Sequence, residues 1–245
     1  MKLLFENWRQ YLVENQEEPD LIAFSEDLND RITSLLFDPN AIEELSTRPT
    51  GASSTAVLDT GELFANYDTV NEVHMGVVVN DKEPPTGKID AFYLCVPEER
   101  SQSNLVITLS IPRNYDTVEG FRYWLTVELE DALSHELEHS CDLSPEMSSG
   151  DIPEGEAKWE SLENIYKHYG SGVETRGHVA GAMGRSRRTG VPAEDYIDGK
   201  MGLIVDEAVE RGYKEEDLKP IIEDIWRKWR TELEDRKELI RRRRT

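Results

Sequence analysis

The sequence predicts an α+β fold in which a small sheet lies between two helical regions of the chain. Runs rich in β-branched and aromatic residues are concentrated between residues 57 and 111. Apolar residues at helical spacing come before and after that stretch. Strands and helices segregated in this way along a chain are typical of α+β folds rather than of alternating α/β folds.

The first region carries two predicted helices, over residues 1–14 and 20–37. Leu4, Trp8, Tyr11 and Leu12 share one face of the first. The second has seven apolar residues at the same spacing. A stretch rich in Pro, Thr, Gly and Ser, residues 47–55, follows and is interpreted as a linker.

Four short apolar runs predict strands, at residues 57–58, 73–79, 91–96 and 105–111. Turn signals such as Asn80-Asp81 separate them. Because the connections are short, we expect a small, mostly antiparallel sheet.

The remainder of the chain has a helical pattern. A long helix is predicted over residues 117–141, then a Pro/Gly/Ser-rich loop at 143–155, then helices over 156–169, 173–188, 193–211 and 214–240. We expect three parts: a helical arm (1–50), a central domain (51–190) and a helical extension packed on it (191–245).

Composition limits the class of protein. The 245 residues include 28 Lys and Arg against 50 Asp and Glu, for a net charge of -22. With 38% hydrophobic residues, the chain has enough apolar material for a core, which argues against general disorder. No apolar run approaches the ~18 residues that cross a bilayer. The first residues lack a secretory pattern and there are two cysteines, so a cytoplasmic protein without membrane partners is expected.

The charge is unevenly distributed. From Trp226 onward nine basic residues face four acidic ones, so that segment carries +5 and the rest of the chain -27. The acidity argues against nucleic acid as a partner, except through this basic C-terminal tail. We favour the simpler interpretation of the tail, in which its cations complement a helix end and stay solvated.

The sequence His135-Glu136-Leu137-Glu138-His139, an HExxH pattern, lies inside the long predicted helix. Histidines four residues apart occupy one helical face, about 6 Å apart along the axis. Their imidazoles can converge on one Zn²⁺, with Glu136 beside the metal as a general base.

The surroundings of Glu136 favour a metal site. At ~100° per residue, Phe121, Leu125, Leu129, Ala132, Leu133 and Leu137 form the predicted buried stripe, and Glu136 falls near its middle. A buried carboxylate without a partner is costly, and a metal with its water supplies one. Glu128, Glu130, Asp131 and Glu138 fit a solvated face instead.

A zinc peptidase needs a third protein ligand from another element. Glu174, at the start of a helix after Gly170-Ser171-Gly172, is the first candidate. His178, one turn later on the same face, is the second choice as a direct ligand. Four other carboxylates compete as the ligand: Asp142, Asp151, Glu154 and Glu156. A Glu174 that merely complements the helix N-terminus is the structural alternative.

These residues resemble a family. An HExxH helix after a small sheet, followed by Tyr169 to Glu174 opening another helix, resembles the zincin metallopeptidases with a downstream Glu ligand, the gluzincin pattern. His135 to His139 with Tyr169 to His178 also looks like small zincin-like proteins of tailed phages. The resemblance covers residues 55–190.

The resemblance implies a zincin-like fold with His135, His139 and Glu174 binding zinc and Glu136 as the general base. His178 replaces the usual acidic residue after the third ligand, and the spacing from His139 to Glu174 is longer than in well-known gluzincins. Tyr169, Tyr166, Tyr196 and His178 are candidates for stabilising the transition state. The implied partners are a peptide or protein substrate, and a phage virion or host protein in an infected cell.

The leading hypothesis is therefore a zinc-dependent endopeptidase that uses a zinc-bound water. An edge strand, 105–111 or 91–96, is expected to align an extended peptide, and the loop 143–155 to act as a flap. Two alternatives stay open: a non-catalytic phage structural or accessory protein on the same scaffold, and an acidic binding protein that mimics nucleic acid.

Overall fold

The computed structural model describes residues 22–58, 70, 72–80, 87–94, 104–140, 152–153 and 155–243. It confirms the α+β class. The chain forms two compact units, Met1–Cys141 and Asp142–Thr245. This division falls inside the predicted central domain 51–190, and the predicted boundaries at residues 50 and 190 do not coincide with it. The predicted helix 1–14 lies outside the described residues.

The first unit begins with two helices. Residues 22–36 form α1, within the predicted 20–37. Pro39–Thr47 forms α2, which the sequence analysis did not predict. Its start is nevertheless encoded, because the side chain of Asp38 accepts a hydrogen bond from the Asn40 amide and Pro39 occupies the first turn.

Four strands follow: β1 (Ser53–Leu58), β2 (Glu72–Asn80), β3 (Lys88–Leu94) and β4 (Asn104–Pro112). Their order in the sheet is β1-β2-β4-β3. The outer pairs, β1 with β2 and β3 with β4, are antiparallel, and the central pair is parallel. The expectation of mostly antiparallel pairing holds for two of three pairs, and β1 occupies part of the predicted linker.

The strand order corrects one prediction. The segment 105–111 is not an edge, because β4 pairs with β2 on one side and β3 on the other. Of the two candidate edges, the one at 91–96 overlaps β3, which is a border strand. Lys88 and Asp90 lie on its exposed face, and charged residues of this kind are typical of edge strands.

A short 3₁₀ turn (Tyr115–Thr117) leads into α3 (Phe121–Ser140), the predicted long helix. The core of the first unit combines apolar residues from α1, α2, β2, β4 and α3, so residues 22–47 belong to the same core as the sheet rather than to a separate arm.

The second unit is helical in its described residues. A 3₁₀ turn (Gly155–Trp159) precedes α4 (Leu162–Gly170), α5 (Gly172–Thr189), α6 (Ala193–Glu210) and α7 (Glu215–Arg243). Three of them agree with the predicted helices to within a few residues, whereas the predicted helix 156–169 is divided between the 3₁₀ turn and α4, which begins six residues later than predicted. The unit has its own core, centred on Trp229 and Ile225 of α7, with Ile165 of α4 and Val179 of α5.

Among the described residues, none of the helices combines the length and the apolar character that a membrane crossing requires.

Candidate metal centre

The HExxH motif occupies the last two turns of α3. Gly120, whose φ of 75° is in the left-handed region, precedes the helix. Of the six residues of the predicted stripe, five are at most 1% exposed and Ala132 is partly buried; the five are Phe121, Leu125, Leu129, Leu133 and Leu137. The apolar face thus fixes the rotation of α3 and, with it, the direction in which the motif points.

Within the motif, the two imidazoles approach each other closely. Nε2 of His135 lies 2.9 Å from Nε2 of His139, and the rings stand nearly perpendicular at 86°. His139 is 7% exposed, whereas His135 and Glu136 are partly buried. Ring nitrogens of both histidines and a carboxylate oxygen of Glu136 lie within 4.8 Å of one another. The three side chains therefore form one compact donor group.

The donor group suits zinc by its chemistry. Two nitrogens bound tetrahedrally to one Zn²⁺ at ~2.0–2.1 Å are about 3.3 Å apart, whereas the two Nε2 atoms are 2.9 Å apart, the distance of a hydrogen bond between one protonated ring and the other. Two imidazoles and a neighbouring carboxylate are also ligand types that zinc prefers.

A buried polar cluster lies one to two turns before the motif. The carboxylate of Glu130, fully buried, accepts hydrogen bonds from Ser25 Oγ, from Asn29 Nδ2 at 2.9 Å and from Ser134 Oγ at 3.4 Å. Asn29 also donates to the carbonyl oxygen of Thr126 at 2.8 Å. The expectation that Glu130 is solvated was wrong, because this side of α3 faces α1 rather than water.

The predicted third ligand belongs to the second unit. The side chain of Ser171 caps α5 by accepting from the Glu174 amide at 3.2 Å. Glu174 thus stands in the first turn, where the helix dipole favours its negative charge. Its carboxylate is 3.7 Å from His178 Nε2, and the two side chains are 9% and 7% exposed. The predicted pairing of these residues on one face is confirmed.

Aromatic rings surround His178. Its imidazole stacks on the Tyr169 ring, with the two ring centroids 5.6 Å apart. The centroid of the Trp229 ring lies 4.4 Å from that of the imidazole. Trp229 Nε1 donates to the Tyr169 carbonyl oxygen at 2.8 Å. Burial raises the pKa of the Tyr169 hydroxyl, and the carboxylates of Glu207 and Glu174 raise it further. Tyr169 is therefore protonated at neutral pH and keeps its capacity to donate.

The other candidates are placed as follows. Tyr166 donates to Asp224 Oδ2 at 2.8 Å, and Tyr196 donates to Thr189 Oγ1 at 2.7 Å, so both hydroxyls have structural partners.

Glu156 is exposed and pairs with Arg211 at 2.6 Å, which lowers the pKa of its carboxyl. Asp142, Asp151 and Glu154, and nearly all of the predicted flap 143–155, lie outside the described residues.

Comparison with family models, with curated proteins and with solved structures gave no match to this chain.

Proposed function

We propose that the protein is a zinc-dependent metallopeptidase. The observation that carries the proposal is the 2.9 Å approach of the His135 and His139 Nε2 atoms, with the Glu136 carboxylate in the same donor group. At this distance one ring can also donate a hydrogen bond to the other, and it is the Glu136 carboxylate in the same group that favours a metal. The chain's acidity alone, which supports a nucleic-acid mimic, leaves that convergence unexplained.

The roles follow from the donor chemistry of the side chains. His135, His139 and Glu174 are the proposed zinc ligands. Zinc, when bound, would supply Lewis acidity toward a water molecule and a peptide carbonyl. Glu136 is the proposed general base, which would accept a proton from that water molecule and pass it to the leaving amine. Tyr169 and His178 are the proposed donors to the developing oxyanion.

The sheet offers a place for an extended peptide. As an edge strand, β3 can pair with a substrate by strand addition, and α3 packs beside it in the same unit. Phe92 and Leu94 on its outer face are 46% and 50% exposed, although both are large and apolar. We propose that a peptide or protein substrate lies along this strand.

The first test is the metal content of the purified protein, measured by elemental analysis. We expect about one zinc per chain, lost in His139→Ala and in Glu174→Ala. His74→Ala is the matched histidine control, because that side chain lies on β2 and pairs with Glu72. Glu163→Ala is the matched glutamate control, since it also lies in the first turn of a helix, but exposed. Absence of stoichiometric zinc after reloading contradicts the proposal.

Glu136→Gln separates an enzyme from a non-catalytic metal protein. The amide keeps the size of the side chain but cannot accept the proton, so peptide cleavage should fall by about 10²-fold or more while zinc stays bound. Cleavage is measured by mass spectrometry of a peptide-library digest. Zinc retained in the wild type without any cleavage would indicate the non-catalytic alternative.

A further inference from the structure

The border strand β3 is charged at one end of its outer face and apolar at the other. Lys88 and Asp90 form an ion pair at 2.8 Å. Phe92 and Leu94, further along the same face, are 46% and 50% exposed. Charged side chains protect an edge strand from pairing with other chains, so the Lys88 end of β3 has this protection and the Leu94 end lacks it.

The apolar surface continues onto the neighbouring strand. Val106 of β4 is the register partner of Phe92, lies on the same face and is only partly buried. Phe92, Leu94 and Val106 together form what we call the apolar strip. It reaches the border of the described sheet, where it suits an extended peptide whose side chains on that face are also apolar.

The helix that carries the HExxH motif starts at the charged end of β3. A Cβ atom at Gly87 would lie 2.3 Å from the Trp124 ring and 3.3 Å from the Phe121 ring. The carboxyl end of β4, which leads into α3, also lies beside Lys88. From this end α3 packs against β3, and it therefore runs along the strand toward Leu94.

Equal lengths of helix and strand bring the motif level with the apolar strip. His139 follows Trp124 by 15 residues, which is about 23 Å along an α-helix. Leu94 follows Gly87 by seven residues, which is about 23 Å along a strand. Because Trp124 and Gly87 are in contact, the motif on the inner face of the sheet lies level with the strip on its outer face.

We propose that the apolar strip selects the substrate class: an extended peptide with apolar side chains at two alternate positions beside the cleaved bond. This proposal rests on the proposed metallopeptidase function. Side chains of a peptide paired with β3 alternate between the two faces of the sheet. Those on the outer face lie beside Phe92 and Leu94, with Cβ atoms about 4.5–5.5 Å apart. The side chain between them points to the face on which α3 packs.

The selection follows from hydration. Two apolar side chains of the peptide would leave water together with Phe92 and Leu94, which favours binding. A charged side chain at either outer position would lose part of its hydration on the strip without gaining a partner there. The strip therefore favours apolar residues and disfavours charged ones at these two positions of the substrate.

The test uses two peptides that span β3 and differ at two alternate positions, which carry Leu in one peptide and Ser in the other. Binding is measured by calorimetry with the Glu136→Gln variant, so that the peptide is not consumed. We expect the leucine peptide to bind at least about tenfold more tightly, because more apolar surface is removed from water. Cleavage by the wild type, followed by mass spectrometry, should show the same preference, mainly as a lower KM.

Combining Phe92→Thr with Leu94→Thr should remove this preference. Threonine keeps the strand propensity, and both positions are exposed, so the variant should fold, which circular dichroism checks. Leu203→Thr is the matched control, since Leu203 is an apolar residue of α6 that is 69% exposed. It should leave the preference between the two peptides unchanged.

The outcomes distinguish the substrate class from the catalysis. Equal affinity for the two peptides, no binding of either, or a preference that survives the double substitution overturns the inference. If the wild type nevertheless cleaves peptides, the proposed function stands without it. A preference that the double substitution removes, with no cleavage by the wild type, supports recognition by the apolar strip and contradicts the proposed catalysis.

Discussion

Tyr115, after β4, couples a buried hydroxyl to the end of α1. The residue is 1% exposed, and its hydroxyl donates a hydrogen bond to the Leu36 carbonyl oxygen. Burial, with a smaller contribution from the Asp116 charge, raises the pKa of Tyr115 from 10.0 to about 12. The fold therefore favours the protonated phenol over the phenolate.

This shift predicts a loss of stability at high pH. Since the pKa is higher in the folded than in the unfolded chain, the contribution is complete below pH 10 and is lost between pH 10 and about 12. Tyr115→Phe should remove this part of the pH dependence and lower the free energy of unfolding at pH 8 by about 1 kcal/mol, from the lost hydrogen bond. Urea unfolding at pH 8 and pH 11 measures both effects. An unchanged difference between the two pH values in the variant would contradict the assignment.

At the scale of elements, the Glu130 cluster joins α1 to the helix that carries the HExxH motif. Asn29 contributes two of its contacts, to the Glu130 carboxylate and to the Thr126 carbonyl oxygen. The directed hydrogen bonds of the cluster fix the position of α1 relative to α3. Apolar side chains packed between two helices fix that position less strictly.

Replacing Asn29 by Ala should therefore destabilise the first unit. A buried carboxylate loses one donor and a buried carbonyl loses another, so we expect a cost of about 2 kcal/mol in the free energy of unfolding. Asn40→Ala on α2 is the matched control, because Asn40 is exposed, and it should stay within about 0.5 kcal/mol of the wild type. Chemical denaturation followed by tryptophan fluorescence compares the two. An equal loss in the free energy of unfolding for the two variants would show that the Glu130 cluster does not stabilise the fold.

The elements differ in how far the sequence specifies them. Helices α1, α3 and α5 to α7 follow from apolar spacing and from glycine breaks, because both act within a few turns of chain. Strand order depends on contacts between distant residues, so hydrophobic alternation in β4 did not reveal that it pairs on both sides. The charges of Lys88 and Asp90 in β3 were the available signal for an edge.

For the candidate site, too, the sequence predicts local spacing but not contacts between distant residues. The spacing of His135 and His139 predicts a shared face, and the close approach of their rings agrees with it. The burial of Glu130 was not predicted, since a helical wheel assumes one buried face, whereas no described residue of α3 beyond Tyr123 is classed as exposed. Only the placement of α1 identifies Ser25 and Asn29 as partners of Glu130, because neither belongs to a motif. Ser134 follows Glu130 by four residues on the same helix, so helical spacing already places the two side by side.

At the scale of the whole molecule, charge is divided unequally. The first unit has 27 acidic and 9 basic residues, a net charge of -18, whereas the second has 23 and 19, a net charge of -4. Like charges confined to a compact unit repel one another and favour its unfolding. The Debye length falls from about 30 Å at 0.01 M salt to about 8 Å at 0.15 M, so salt weakens repulsion between exposed charges across a unit.

We therefore expect salt to stabilise the first unit selectively. Between 0.01 and 0.15 M KCl, amide hydrogen exchange in β4 and α3 should slow by at least about threefold, while exchange in the centre of α7 changes less. Ion pairs of the second unit, such as Arg211 with Glu156, lose attraction as salt rises and oppose any gain there. The second unit is thus the internal control for effects of salt on exchange chemistry. Equal slowing in both units, or faster exchange in β4, would show that net repulsion does not limit the stability of the first unit.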